Sequence, residues 1–149
     1  MSKNLLLLGG AGGIGRAVAT RAFAEGTTFM AGFHADASPA AGAFNEKFIS
    51  KATERGINKL GAHHTDAQSY DAVYLFAQVM KEQGITGDAS KVEDERLAIR
   101  DGLKTVSFSG VLGTALCFAG TDAELPGYVI QIKDGKWTLM DSHSADTCN

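Results

Sequence analysis

The sequence has only two prolines, two cysteines and one tryptophan in 149 residues. Scarce proline beside 18 glycines excludes a proline-rich linker and fits tight turns between helices and strands. Cys117 and Cys148 form one disulfide at most, so a disulfide framework and a cysteine zinc site are both excluded. No apolar run approaches the roughly 20 residues of a membrane span. Leu5 to Leu8 is too short even for a signal-peptide core of about 7–15 residues. The start Met1-Ser2-Lys3-Asn4 therefore reads as a mature or recombinant N-terminus. Neither sign of charge dominates. The 14 basic and 17 acidic side chains leave a net charge of −3, which excludes a sequence-independent grip on nucleic acid. Apolar residues at 44% and charged ones at 21% exclude disorder. The length suits one domain, residues 1–149.

What is present alternates in type. Asn4 to Leu8 is a short apolar run ending in glycines, the pattern of a strand buried on both faces of a parallel sheet. Gly12 to Glu25 reads as a helix, with Ile14, Val18 and Ala22 on one face and Gly26 as its stop. Thr27 to Phe33 is a second strand. Ser38-Pro39 starts a helix whose buried stripe is Phe44, Phe48 and Ala52, closed by Gly56. Thr65-x-x-Gln68 and Ser90-x-x-Glu93 read as capping boxes. The first opens a helix with an apolar face of Val73, Phe76, Ala77 and Met80, closed by Gly84. The second opens one carrying Val92, Ile99 and Leu103. Strands are expected at Val106 to Phe108, Thr114 to Phe118, Tyr128 to Lys133 and Lys136 to Met140. Asp134-Gly135 is a two-residue hairpin turn between the last two. The expected fold is α/β: a Rossmann-like, mostly parallel layered sheet with helices on both faces and a C-terminal β-hairpin.

Gly9, Gly10, Gly12, Gly13 and Gly15 follow the first strand and open the first helix. Such a turn can cradle a phosphate, because the helix presents free N–H groups and a favourable dipole. The spacing Gly9-x-x-x-Gly13-x-Gly15, with Ile14, Arg16 and Glu25-Gly26, resembles the cofactor loop of short-chain dehydrogenases/reductases over about residues 3–32. That resemblance implies an NAD(P) or anion site, and it ends there. Phe33 stands where the family places a polar or acidic residue for the adenosine ribose. Its Tyr-x-x-x-Lys motif is missing: Tyr70, Tyr74 and Tyr128 are followed four residues later by Tyr74, Gln78 and Ile132. Two readings of the glycines stand, a residual nucleotide site and a purely architectural turn.

From about Gly26 the sequence resembles a second family. The residues that carry this are Gly26 to Phe33 with Pro39, Phe44 and Phe48; Ser69 to Ala77; Ile99 to Leu103 with Val106, Phe108, Gly110, Val111 and Gly113; and Tyr128 to Lys136. In this order they are similar to the C-terminal third of type I periplasmic solute-binding proteins, nearest the branched-chain amino-acid-binding group of ABC transporters. The resemblance implies reversible capture of a small amino acid or similar carboxylate in a cleft between two lobes. It also implies a periplasmic setting, although no signal segment is seen. With a dehydrogenase-like unit at 1–26 and a solute-binding-like lobe at 27–149, a chimera or drastic truncation joined near Gly26 to Thr28 is expected. Strands Leu5 to Leu8 and Thr28 to Ala31 should then lie side by side and parallel.

The function expected is a non-enzymatic lobe that binds a small solute weakly or not at all, with Phe33 and Tyr70 as ligand-binding candidates. The alternatives are a nucleotide-binding oxidoreductase fragment and a purely structural engineered chain. No cofactor is expected unless NAD(P) or an anion sits on the glycines. His34, His63 and His64 raise the question of a metal, but none is expected, because adjacent His63 and His64 rarely face one ion and sit in a Gly/Thr/Asp loop. Asp71 suits the first turn of its helix, and Lys47, Lys51, Glu54 and Arg55 form a solvated face. Trp137 reads as hairpin packing. An exposed strand edge would favour a homodimer.

Overall fold

A computed structural model describes residues 6–7, 25–112, 115–119 and 122–143. The element order is β1 (Leu6–Leu7), β2 (Thr28–Ala31), α1 (Pro39–Glu54), α2 (His64–Glu82), α3 (Val92–Leu103), β3 (Phe108–Ser109), β4 (Ala115–Ala119), β5 (Asp122–Glu124), β6 (Gly127–Lys133) and β7 (Lys136–His143). The class is α/β, as the alternation indicates.

β1 and β2 are parallel neighbours, Leu6 opposite Thr28 and Leu7 opposite Phe29. The two sides of the expected join therefore share one sheet. That sheet runs β1-β2-β6-β7. It is not mostly parallel. β2 meets β6 antiparallel, β6 meets β7 antiparallel, and a separate sheet β3-β4-β5 is antiparallel throughout. The reason lies in β6, whose burial alternates along Tyr128, Ile130 and Ile132 against Val129, Gln131 and Lys133. Alternation of period two marks a strand covered on one face, the antiparallel habit. The Asp134-Gly135 turn forms as expected, with φ of 50° and 68°, the left-handed pair that a two-residue hairpin loop needs.

Two hydrophobic cores result. One lies on the first sheet and holds Phe29, Ala31, Tyr128, Ile130 and Ile132. Trp137 meets Phe29 edge-on at 4.8 Å between ring centroids. The other joins the helices to the second sheet through Phe33, Ala41, Ala67, Leu75, Val79, Val106, Phe108, Val111, Leu112 and Leu116. Ala37 packs against both cores. The Tyr128 hydroxyl, buried with its ring, donates to the Leu112 carbonyl and ties one core to the other.

Several helix details depart from expectation. α1 starts at Pro39 with Ser38 accepting from the Ala41 N–H at 3.1 Å, as read. α2 starts one residue before Thr65. Its first turn is capped from His63, whose N–H donates to the Asp66 carboxylate at 2.8 Å. Ser90 sits in a short 3-10 turn, Ala89–Lys91, where Asp88 accepts its N–H and hydroxyl, and α3 follows. The buried face of α2 is Ala67, Asp71, Leu75 and Val79. Val73, Phe76 and Met80, expected inside, are 68%, 44% and 40% exposed. Asp71 is not in the first turn. It is buried mid-helix, and its two carboxylate oxygens accept from the N–H groups of Val111 and Leu112 at 2.9 and 3.0 Å. Gly110 is required beside it, because a Cβ there would overlap that carboxylate.

Candidate functional site

Between the two cores lies a cavity of about 270 Å³. One wall comes from the first sheet, Ala31, Ile130 and Trp137, with Phe33 and His34 just past the end of β2. The opposite wall is Asn45 on α1 and the segment Leu60 to His64 that leads into α2. This segment is held from within the chain. Asn45 accepts the Ala62 N–H at 2.8 Å, and a Cβ at Gly61 would come within 3.1 Å of that same Asn45 oxygen. Glycine at 61 thus lets the loop lie close on α1.

Three imidazoles line this cavity. His34 caps the 3-10 turn Ala35–Ala37. Its Nδ1 accepts the Asp36 N–H at 3.2 Å, which leaves Nε2 to carry the proton and donate to the Trp137 carbonyl at 3.3 Å. The Asp36 carboxylate stands 3.7 Å from Nδ1. His63 and His64 straddle the start of α2. The His64 Nδ1 is buried and has no hydrogen-bond partner among the described residues. Gly32 lets the β2 end approach, since a Cβ there would lie 3.2 Å from the His64 Cβ. The cavity therefore combines an apolar floor, polar imidazole and amide groups at its rim, and the positive end of a 19-residue helix. Its described lining includes no hydroxyl, thiol or carboxylate side chain. Such a lining can hold and orient a small molecule.

Of the residues singled out from sequence, Phe33 lines this cavity. Tyr70 does not. It lines a separate hollow beside α1, linked to Phe33 through Phe44, with centroids 5.8 Å apart for Phe33 and Phe44 and 4.9 Å for Phe44 and Tyr70. A hydrogen bond with Tyr74, and then burial, raise the Tyr70 phenol above its usual range. Gly9, Gly10, Gly12, Gly13 and Gly15 lie outside the described residues, as do Cys148 and all but the last residue of the helix expected over Gly12 to Glu25. The histidines set aside at the sequence level do converge on one cavity, although among the described residues no group of three or more ligands is placed to hold a metal. Trp137 packs as expected and also walls the cavity. Nothing local in sequence foretold this, since the lining is gathered from positions 31 to 137.

No protein-family profile matches the chain, and no curated protein matches it. Solved structures do. The leucine-binding protein LivK of Thermotoga maritima superposes with a TM-score of 0.57 at 21% identity, covering 82% of this chain and 32% of its own. LivJ of Streptococcus pneumoniae, a branched-chain amino-acid transporter substrate-binding protein in complex with isoleucine, gives 0.60 at 21% identity over 96% of this chain and 37% of its own. The chain thus has the fold of part of such a solute-binding protein. It spans about a third of the length of these structures.

Proposed function

We propose that the chain is a non-enzymatic solute-binding lobe, and that the cavity between its two cores takes a small amino-acid-like carboxylate. The observation that carries this is the cavity itself: an apolar floor for a branched side chain, with imidazoles and a helix N-terminus to meet a carboxylate. The likeness in fold to a leucine-binding protein and to a branched-chain substrate-binding protein in complex with isoleucine supports the same reading. The cavity, at about 270 Å³, falls just below the roughly 300–1,000 Å³ of typical ligand clefts. Half a cleft encloses a ligand poorly, so binding by this chain alone is weak. We infer likewise that residues 1–149 act as one domain. Its most extended strand edge is β7, where self-pairing between copies would occur.

Thermal denaturation with leucine, isoleucine, valine, NAD(H) or NADP(H) tests this. Ligand at ten times its Kd stabilises by about 1.4 kcal/mol. The branched-chain amino acids should raise Tm at millimolar levels, and His64→Ala should abolish the rise. Stabilisation by the nucleotides alone would overturn the reading and favour a cofactor site.

A further inference from the structure

A second hollow, of about 370 Å³, opens beside α1, apart from the cavity between the cores. Its floor is aromatic. Phe44 lies 4.9 Å from Tyr70 and 6.0 Å from Phe48 between ring centroids, and Val111 completes it. Ala40 and Ala43, one turn back on the same face of α1, leave the room. Two side chains of like charge stand over this floor, Lys47 and Lys51, one helical turn apart. Lys51 is engaged by Glu54 at 2.6 Å. Lys47 has no ion pair among the described residues.

We propose that this hollow is a separate binding site for a small aromatic monoanion, an aryl carboxylate or its like. Three observations fix the class. Phe44, Phe48 and Tyr70 together line the hollow, so an aryl group finds aromatic partners there. The volume lies within the range of small-molecule clefts. The one unengaged charge at the rim is a cation, which selects an anion over a neutral or cationic ligand.

Isothermal titration of the full 149-residue chain with 2-naphthoate tests this, with neutral 2-naphthamide as control. Naphthoate should bind one to one, about tenfold tighter than naphthamide, and weaken with added salt. Lys47→Glu should lower naphthoate affinity about tenfold and leave naphthamide unchanged. Phe48→Ala should weaken both ligands. His64→Ala, in the other cavity, should change neither, so this result is independent of any amino-acid binding there. Absence of naphthoate binding at millimolar concentration would overturn the proposal. So would equal affinity for the two ligands, or loss of binding on His64→Ala but not Lys47→Glu.

Discussion

At the scale of single residues, Asp71 organises the molecule more than any side chain picked out from the sequence. A buried carboxylate is tolerated only where hydrogen bonds replace its water, and here two backbone N–H groups, from Val111 and Leu112, do so. Asp71→Ala leaves both donors buried without a partner and should cost about 3 kcal/mol in urea denaturation. Gly110→Ala should destabilise as well, by pushing the carboxylate off its donors. The double variant should lose less than the two losses added, since both act on one contact. Tyr128 is a second such residue. Burial raises its phenol above the ordinary value of 10. Unfolded chains therefore ionise first. The stabilisation is complete below about pH 10 and declines as pH rises through the folded value. Tm should fall across that alkaline window in the parent chain and less steeply in Tyr128→Phe. Asp71 was visible in the sequence only as a polar residue near a helix start. Its partners lie 40 and 41 positions away, beyond any local pattern.

At the scale of elements, legibility followed how local the cause was. The Ser38-Pro39 start of α1 and the Asp134-Gly135 turn are set by side-chain caps and backbone angles within four residues, and both appear where read. The face of α2 was misread because apolar residues surround that helix. The buried face was read as Val73, Phe76, Ala77 and Met80, when the Asp71 carboxylate in fact faces inward with Leu75 and Val79. β5, three residues with an exposed and acidic pattern, carried no hydrophobic signal and was not foreseen. The parallel pairing of β1 and β2 was legible as a strand–crossover–strand spacing. The antiparallel β6–β7 pairing was legible in the Asp134-Gly135 turn, and that of β2 with β6 only in the alternation of β6. For the hairpin, Gly135→Val should cost about 1–2 kcal/mol, because φ of 68° sets a Cβ against the carbonyl. Asp134→Asn should be near neutral, since asparagine accepts the left-handed region. Chemical denaturation of both variants checks this pair.

At the scale of the whole molecule, two cores meet along a seam, and the candidate site is the space the seam leaves. One core belongs to the sheet that includes β2 and β6, the other to the helices and β3–β4. Ala37 and the Tyr128-to-Leu112 hydrogen bond link them. A seam of this kind needs lining residues from both sides, which is why Phe33 alone was picked out beforehand while His34, Asn45, His64 and Trp137 came together only in three dimensions. Family resemblance carried the fold class further than periodicity did, since its landmarks span most of the chain. It did not carry the lining, which depends on contacts between segments about 100 residues apart, as between His34 and Trp137. The most direct test of the central claim is a titration of the isotopically labelled chain with isoleucine, followed by two-dimensional amide NMR. The amide signals of Phe33, His34, Gly61 to His64 and Trp137 should shift together along one saturable curve. Shifts confined to residues far from this seam, or none at saturating millimolar isoleucine, would contradict it.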